Sequence, residues 1–295
     1  MDVTRASTLT AQGQSRTALA RMTRAGELVR VRHGAYASAI EPDATGRHRQ
    51  LIEATWPLLA EDAVLSHSSA AVLHGLPVWQ SMLGSVCAVR PEGGHGGRTR
   101  SLHMRLSELS ASDVTVVDGY RVTSMARTAV DQACVLRHDR AVATMDAALR
   151  LGVARDDLSG AVSAARGRHG VGVARSALGF ADGLAESVGE SVSRVLMAQV
   201  GIPSPDLQVN VFDDLGNWLA RGDFGWREHG VIGEFDGRVK YVGEPKEVAR
   251  VVMNEKVREQ AIRDAGWIVV RWTWRDLGDP AAFRRRIMGA LDLRR

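Results

Sequence analysis

The succession of periodic segments after residue 184 constrains this 295-residue chain most. Glu186 to Val200 carries Val188, Val192, Leu196 and Val200 at near-helical spacing and stops at Gly201 and Pro203. Leu207 to Val211 alternates as a strand, Asp213 to Asn217 turns, and Trp218 to Phe224 returns as its hairpin partner. Gly230 to Phe235 reads as a short apolar strand and Val248 to Ala265 as a helix capped by Gly266. Ile268 to Trp272 follows as a buried strand, with Trp272 and Trp274 expected on one of its faces, packed in the core. The result is an α-β-β-β-α-β frame with a last helix after Pro280.

Acidic residues occupy particular places on that frame. Side chains alternate along a strand, so Glu234 and Asp236 point to one side, and Asp223 on the neighbouring hairpin strand converges on them. Hard oxygen ligands at one strand end suit Mg²⁺ or Mn²⁺, with Asp223 and Glu234 as the expected metal ligands. Such a cation lowers the pKa of a bound water or stabilises charge on a phosphate and its leaving oxygen. Glu234 is embedded in an apolar strand, where an uncompensated charge is costly, so a metal or another cation is required beside it. The lysines of the chain are Lys240, Lys246 and Lys256, and every other member of the 38 Lys+Arg residues is arginine. An ammonium is a compact, tunable point charge, which a guanidinium is not. Paired carboxylates beside lysines are the equipment of a metal-dependent phosphodiester hydrolase.

The other end of the chain is basic. Ser15 is placed to cap a helix over residues 15–26, Leu19 and Met22 share its apolar face, and Gly26 ends it. Thr17, Arg21 and Arg24 share another face, and Val29 and Val31 then alternate with Arg30 and Arg32 before a His33-Gly34 turn. Residues 1–36 hold Arg5, Arg16, Arg21, Arg24, Arg30 and Arg32 against Asp2 and Glu27, a surplus equal to the +4 of the whole chain. A helix with arginines followed by a basic two-stranded ribbon is the layout of a winged helix-turn-helix, whose helix enters the major groove while the wing tracks phosphates. Arg16, Arg21, Arg24, Arg30 and Arg32 are its expected DNA contacts. A solvated amphipathic helix and hairpin without a ligand satisfies the same composition.

Between these ends, Arg49 to Leu59, Ser66 to His74, Ser124 to Cys134 and Ala141 to Leu151 read as helices, and Val86 to Val89 and Tyr120 to Val122 as strands. His67 and His74 lie seven apart, a spacing of packed or hydrogen-bonded histidines rather than of metal ligands. The expected class is α/β, α+β overall, in three regions: a winged helix over 1–45, a mixed α/β scaffold over 46–183 and an α/β domain over 184–295. No run approaches the roughly 18 apolar residues of a membrane helix, and the first residues lack an apolar signal core. Cys87 and Cys134 form no ligand pattern and read as buried thiols of a reducing compartment, so a cytoplasmic, membrane-free protein is expected.

Two family resemblances add to this reading. Arg24 to Tyr36, Leu65-Ser66-His67-Ser68-Ser69-Ala70-Ala71 and Leu73-His74-Gly75-Leu76-Pro77 resemble the first half of AbiEi-type antitoxins of type IV toxin-antitoxin systems. That resemblance implies a winged helix on promoter DNA and a cognate toxin as partner. It also implies a helix ahead of the one at Ser15, for which only Met1 to Gln14 remain, so the DNA-binding unit is expected to be truncated. The second resemblance covers residues 185–295. Glu190, Gly222-Asp223-Phe224, Gly233 to Gly237, Glu255 to Arg258 and Gly266 to Arg271 resemble the very-short-patch-repair-like branch of the PD-(D/E)XK nucleases. It implies a restriction-endonuclease-like fold and a catalytic set of Glu190, Asp223, Glu234 and Asp236 with Lys240 or Lys256. The third position of the motif, normally lysine, is Asp236 here. Either a lysine from the following loop or helix takes over, or the domain has lost catalysis and retains its fold. The lysine cluster favours a DNA endonuclease, and the other reading is a non-catalytic antitoxin and repressor.

Overall fold

The computed structural model describes residues 3–91, 96–213, 215–237 and 257–293. The chain packs as two compact units, Met1–Leu136 with Val153–Arg175, and Arg137–Gly152 with Ser176–Arg295. Boundaries after residues 45 and 183 do not coincide with these units.

The first unit opens with β1 (Val3–Arg5) and α1 (Ala6–Ala11), followed by α2 (Arg16–Ala25), β2 (Val29–Arg32) and β3 (Ala35–Ala37). The Ser15 hydroxyl accepts the Ala18 N–H at 3.1 Å, and Gly26 ends α2 in the left-handed conformation at φ 77°, both as the capping residues predict. The expected two-stranded ribbon is a three-stranded antiparallel sheet of order β1-β3-β2, because β1 adds to its edge. A short helix, α1, does precede the one capped by Ser15. It buries no side chain and has no side-chain cap, so it leaves no periodic trace in sequence. The single basic face of the ribbon is also corrected. Register passes from Arg30 opposite Tyr36 to Arg32 opposite Ala35, so Val31 bulges and alternation breaks. Arg30 is exposed, whereas Arg32 is half-buried.

A six-stranded mixed sheet of order β6-β7-β5-β4-β9-β8 forms the scaffold of this unit. Its strands are β4 (Val64–Leu65), β5 (Val86–Arg90), β6 (Gly97–Arg98), β7 (Leu102–Leu106), β8 (Val114–Val117) and β9 (Tyr120–Thr123). Helices α3 (Ala44–Thr55) and α4 (His67–His74) close a core of Ile52, Leu65, Leu73, Val86 and Val122, and α5 (Met125–Ala133) precedes the end of this stretch. Both histidines singled out earlier are hydrogen-bonded. His74 Nε2 donates to the Thr123 carbonyl at 2.7 Å, and His67 Nδ1 meets the Ser66 hydroxyl at 3.1 Å, with burial pushing the His67 imidazole down to about 4.

In the second unit, α6 (His138–Arg150) packs beside α9 (Val188–Gln199), because buried Asp146 receives Arg194 at 3.0 Å and the Asp182 N–H at 2.8 Å. Helices α7 (Arg155–Ala164) and α8 (Val171–Phe180) intervene in sequence. The four-stranded sheet runs β10 (Asp206–Phe212), β11 (Trp218–Trp226), β12 (Val231–Asp236), β13 (Ile268–Thr273), with the β12–β13 pair parallel and the others antiparallel. The element order expected from periodicity is found. Helix α10 occupies residues 257–264, and the rest of its expected span lies outside the described residues. Val231 and Ile232 are both fully buried because each face of β12 is covered. Trp272, Phe224, Phe283 and Ile287 pack on one side, and Val209, Val211, Ala220, Ile232 and Ile262 on the other. Trp274 departs from its expected core position. Thr273 and Asp276 form a capping box that starts α11 (Trp274–Leu277), so Trp274 leaves the strand and is 47% exposed. The last helix, α12 (Pro280–Asp292), begins on its proline.

Gly189 lets α9 approach β12 closely, since a Cβ there would lie 1.8 Å from Phe235 Cε1. Gly189→Ala is expected to destabilise the chain by about 1–3 kcal/mol through overpacking. Urea unfolding with a lowered midpoint and an unchanged slope checks this, and an unchanged midpoint contradicts it.

Candidate functional site

The acidic side chains meet where α9, β11 and β12 come together. Ser187 caps α9 by accepting the Glu190 N–H at 3.2 Å, and buried Glu190 turns back to accept the Glu186 N–H at 2.8 Å and the Gln208 amide at 3.0 Å. Gln208 itself sits at φ 52°, a strained conformation for a residue with a Cβ. Pairing of β11 with β12 stops at Phe224 opposite Gly233. Beyond it the Asp223 carboxylate accepts the Phe235 N–H at 2.8 Å, so a side chain serves a backbone group that the ladder has released.

Glu234 lies directly opposite Arg271 in the parallel β12–β13 register. Its Oε2 receives Arg271 Nε at 2.8 Å and its Oε1 receives Arg258 from α10 at 2.8 Å. Arg271 also donates to Glu259 at 2.6 Å, and Arg263 pairs with Glu259 one turn on, so an alternating chain of charges ties α10 to the sheet. Asp236 is exposed at the strand end. Arg221, Asp223, Glu234, Phe235, Asp236, Arg258 and Arg271 line a cavity of about 410 Å³. The structure therefore gathers Asp223, Glu234 and Asp236 at one cavity, as alternation predicts. Lys240, Lys246 and Lys256 lie outside the described residues.

Burial pushes the Asp223 carboxyl up to about 6, the Phe235 N–H opposes this, and the carboxylates of Glu190, Glu234 and Glu186 add to it. Arg271 moves the other way: burial works against its charge, but Glu234 and then Glu259 outweigh it and hold the proton more firmly. These residues do not fit the expected magnesium or manganese ion. A hard cation needs open carboxylate oxygens, yet each oxygen of Glu234 already meets a guanidinium, and one oxygen of Asp223 is taken by the Phe235 N–H. Among the described residues no group of three His, Cys, Asp or Glu side chains is arranged to hold a metal. The cation that Glu234 requires is arginine. Sequence reasoning missed Arg258, Arg271 and Arg221 as cavity residues. Alternation puts Arg271 on the strand face opposite Trp272, but which residue it meets on β12 depends on a register set by the distant crossover.

At the basic end, Arg16, Arg21, Arg24 and Arg30 are exposed, three of them on capped α2 and one on β2, while Arg32 is half-buried. Residues 5–39, which hold all five, match the family described as "Transcriptional regulator, AbiEi antitoxin", and residues 62–180 match the "AbiEi antitoxin C-terminal domain". The chain belongs to the AbiEi antitoxin family. Two Mycobacterium tuberculosis relatives, uncharacterized proteins Rv2248 of strain H37Rv and MT2308 of strain CDC 1551, are each 35% identical over 273 residues, covering 90% of this chain and 93% of the relative. An alignment of that extent includes residues beyond 180, so these relatives share at least part of the region that holds the acidic cavity. A crystal structure of the M. tuberculosis protein RV2827C aligns with a TM-score of 0.40 and 14% identity, covering 72% of this chain and 84% of that one. Among the described residues of this AbiEi-family chain, no helix is long and apolar enough to cross a membrane.

In the fold, the Asp223 carboxyl gives up its proton near pH 6, against an ordinary value of 3.8. Ionising it therefore costs stability: the cost is absent below pH 3.8, grows between pH 3.8 and about 6, and is complete above. Asp223→Asn keeps an acceptor for the Phe235 N–H and is expected to stabilise the protein by on the order of 1–3 kcal/mol near pH 8, and by little near pH 4. Urea unfolding at both pH values checks this. An effect independent of pH would contradict the assignment.

Proposed function

We propose that this AbiEi-family chain is a non-catalytic antitoxin that acts as a DNA-binding transcriptional repressor. The observation that carries the reading is the exposed arginine face of α2. It is followed by the Arg30-bearing sheet, within the segment that matches a transcriptional-regulator family. In this reading α1, α2 and the three-stranded sheet form a winged helix. Ser15 and Gly26 fix the length of the groove-entering helix, Arg16, Arg21 and Arg24 face the duplex, and Arg30 reaches a phosphate. Salt-dependent affinity then comes from counterions released by those guanidinium groups. The acidic unit serves as a structural or partner-binding module with a nuclease-like order of elements, and a cognate toxin is the partner that the family implies. Cytoplasm is the setting in which both partners are met.

Hydrolysis gains no support from the cavity, where the carboxylate central to the endonuclease expectation is neutralised by Arg258 and Arg271. The test has two arms. Fluorescence anisotropy of labelled duplex DNA across a salt series should show binding by the wild type, and Arg21→Ala should flatten the log-log salt dependence by about one. Supercoiled plasmid incubated with the protein and Mg²⁺ or Mn²⁺ should remain closed. Metal-dependent nicking lost in Glu234→Ala would overturn the repressor reading in favour of the nuclease.

A further inference from the structure

A cavity of about 630 Å³ in the first unit is lined by residues that include Arg30, Arg32, His33, Leu51, Arg100 and Ser101. Arg100 comes from the turn between β6 and β7, far in sequence from the first sheet. No carboxylate lines the cavity among the described residues. Its polar side chains are donors first. Arg30 Nη2 contacts His33 Nδ1 at 2.6 Å, and because a guanidinium has no acceptor, Nδ1 must accept and the ring hydrogen sits on Nε2. Arg30 Nε reaches the Arg32 carbonyl at 3.4 Å, which holds its guanidinium over the turn. Arg32 Nε is buried and has no hydrogen-bond partner among the described residues. A buried charged donor without an acceptor calls for an explanation, and a ligand that brings acceptor oxygens supplies one.

Concave shape, surplus positive charge and forked donors match a phosphate group, whose oxygens accept paired guanidinium hydrogens. The source is either a phosphodiester of the duplex or a free phosphate ion. Arg30 and Arg100 are exposed at the cavity, and Arg30 stands on β2, the strand that follows the α2 arginines in the repressor reading. We infer that this cavity receives one backbone phosphodiester of duplex DNA, with Arg100 a contact supplied from outside the wing. The inference rests on the DNA-binding reading and extends the DNA surface onto the six-stranded scaffold.

Anisotropy of labelled duplex DNA over a salt series, with wild type, Arg100→Ala, Arg100→Lys and the exposed-site control Arg166→Ala, tests it, alongside a calorimetric titration of inorganic phosphate. The expected result is that Arg100→Ala weakens binding about tenfold and lowers the log-log salt slope by about one, because one fewer phosphate is neutralised. Arg100→Lys retains the slope, and Arg166→Ala matches wild type. An unchanged slope for Arg100→Ala, in a protein whose slope responds to Arg21→Ala, overturns the cavity assignment and leaves the repressor reading standing. Absence of any wild-type DNA binding overturns both. Saturable binding of inorganic phosphate that Arg100→Ala abolishes while DNA binding is unaffected overturns the duplex in favour of a small-anion site.

Discussion

The charge pairing of Glu234 with Arg271 across two parallel strands decides the character of the second unit. A carboxylate in an apolar strand cannot remain uncompensated, and the β12–β13 register places Arg271 directly beside it. Arg258 then closes the second oxygen from α10, while Glu259 of the same helix steadies Arg271. The helix is thereby clipped to the sheet through charge as well as through Ile262. Among the described residues Asp223 gains no such partner. It serves a backbone N–H beside three other carboxylates and holds its proton unusually long.

The two ends of the chain treat charge in opposite ways. At the acidic cavity, each oxygen of the central carboxylate is met within the fold by a guanidinium. On α2, the arginines stay at the surface, and the helix needs no charge contact to form because Ser15 and Gly26 supply its ends. Exposed charge costs little to maintain and is available to an external polyanion. In the proposed repressor reading, the basic end is the working surface of this AbiEi-family chain and the acidic end a braced support.

Local signals were legible wherever the deciding physics is local. The cap and terminator of α2, the hairpin turn after β10, the apolar run of β12 and the proline start of α12 depend on residues a few positions apart, and each stands where the sequence places it. Convergence of Asp223, Glu234 and Asp236 was also readable, because strand alternation and one hairpin suffice for it. Long-range pairing was not readable. The Glu234–Arg271 register, the addition of β1 to the first sheet and the packing of α6 on α9 join segments whose sequences carry no mark of their neighbours. Two failures were local. A bulge at Val31 defeated the alternation argument for Arg32, and a capping box at Thr273 removed Trp274 from the strand.

The central claim is that arginine, and not a metal ion, balances Glu234. Thermal unfolding of the wild type and of Glu234→Gln, each with and without millimolar Mg²⁺, addresses it directly, because a cation that binds only the folded state must raise its stability, by about 2.7 kcal/mol at a hundredfold excess over Kd. The account predicts the same Tm for the wild type with and without Mg²⁺. A rise in the wild-type Tm that Glu234→Gln abolishes would contradict it.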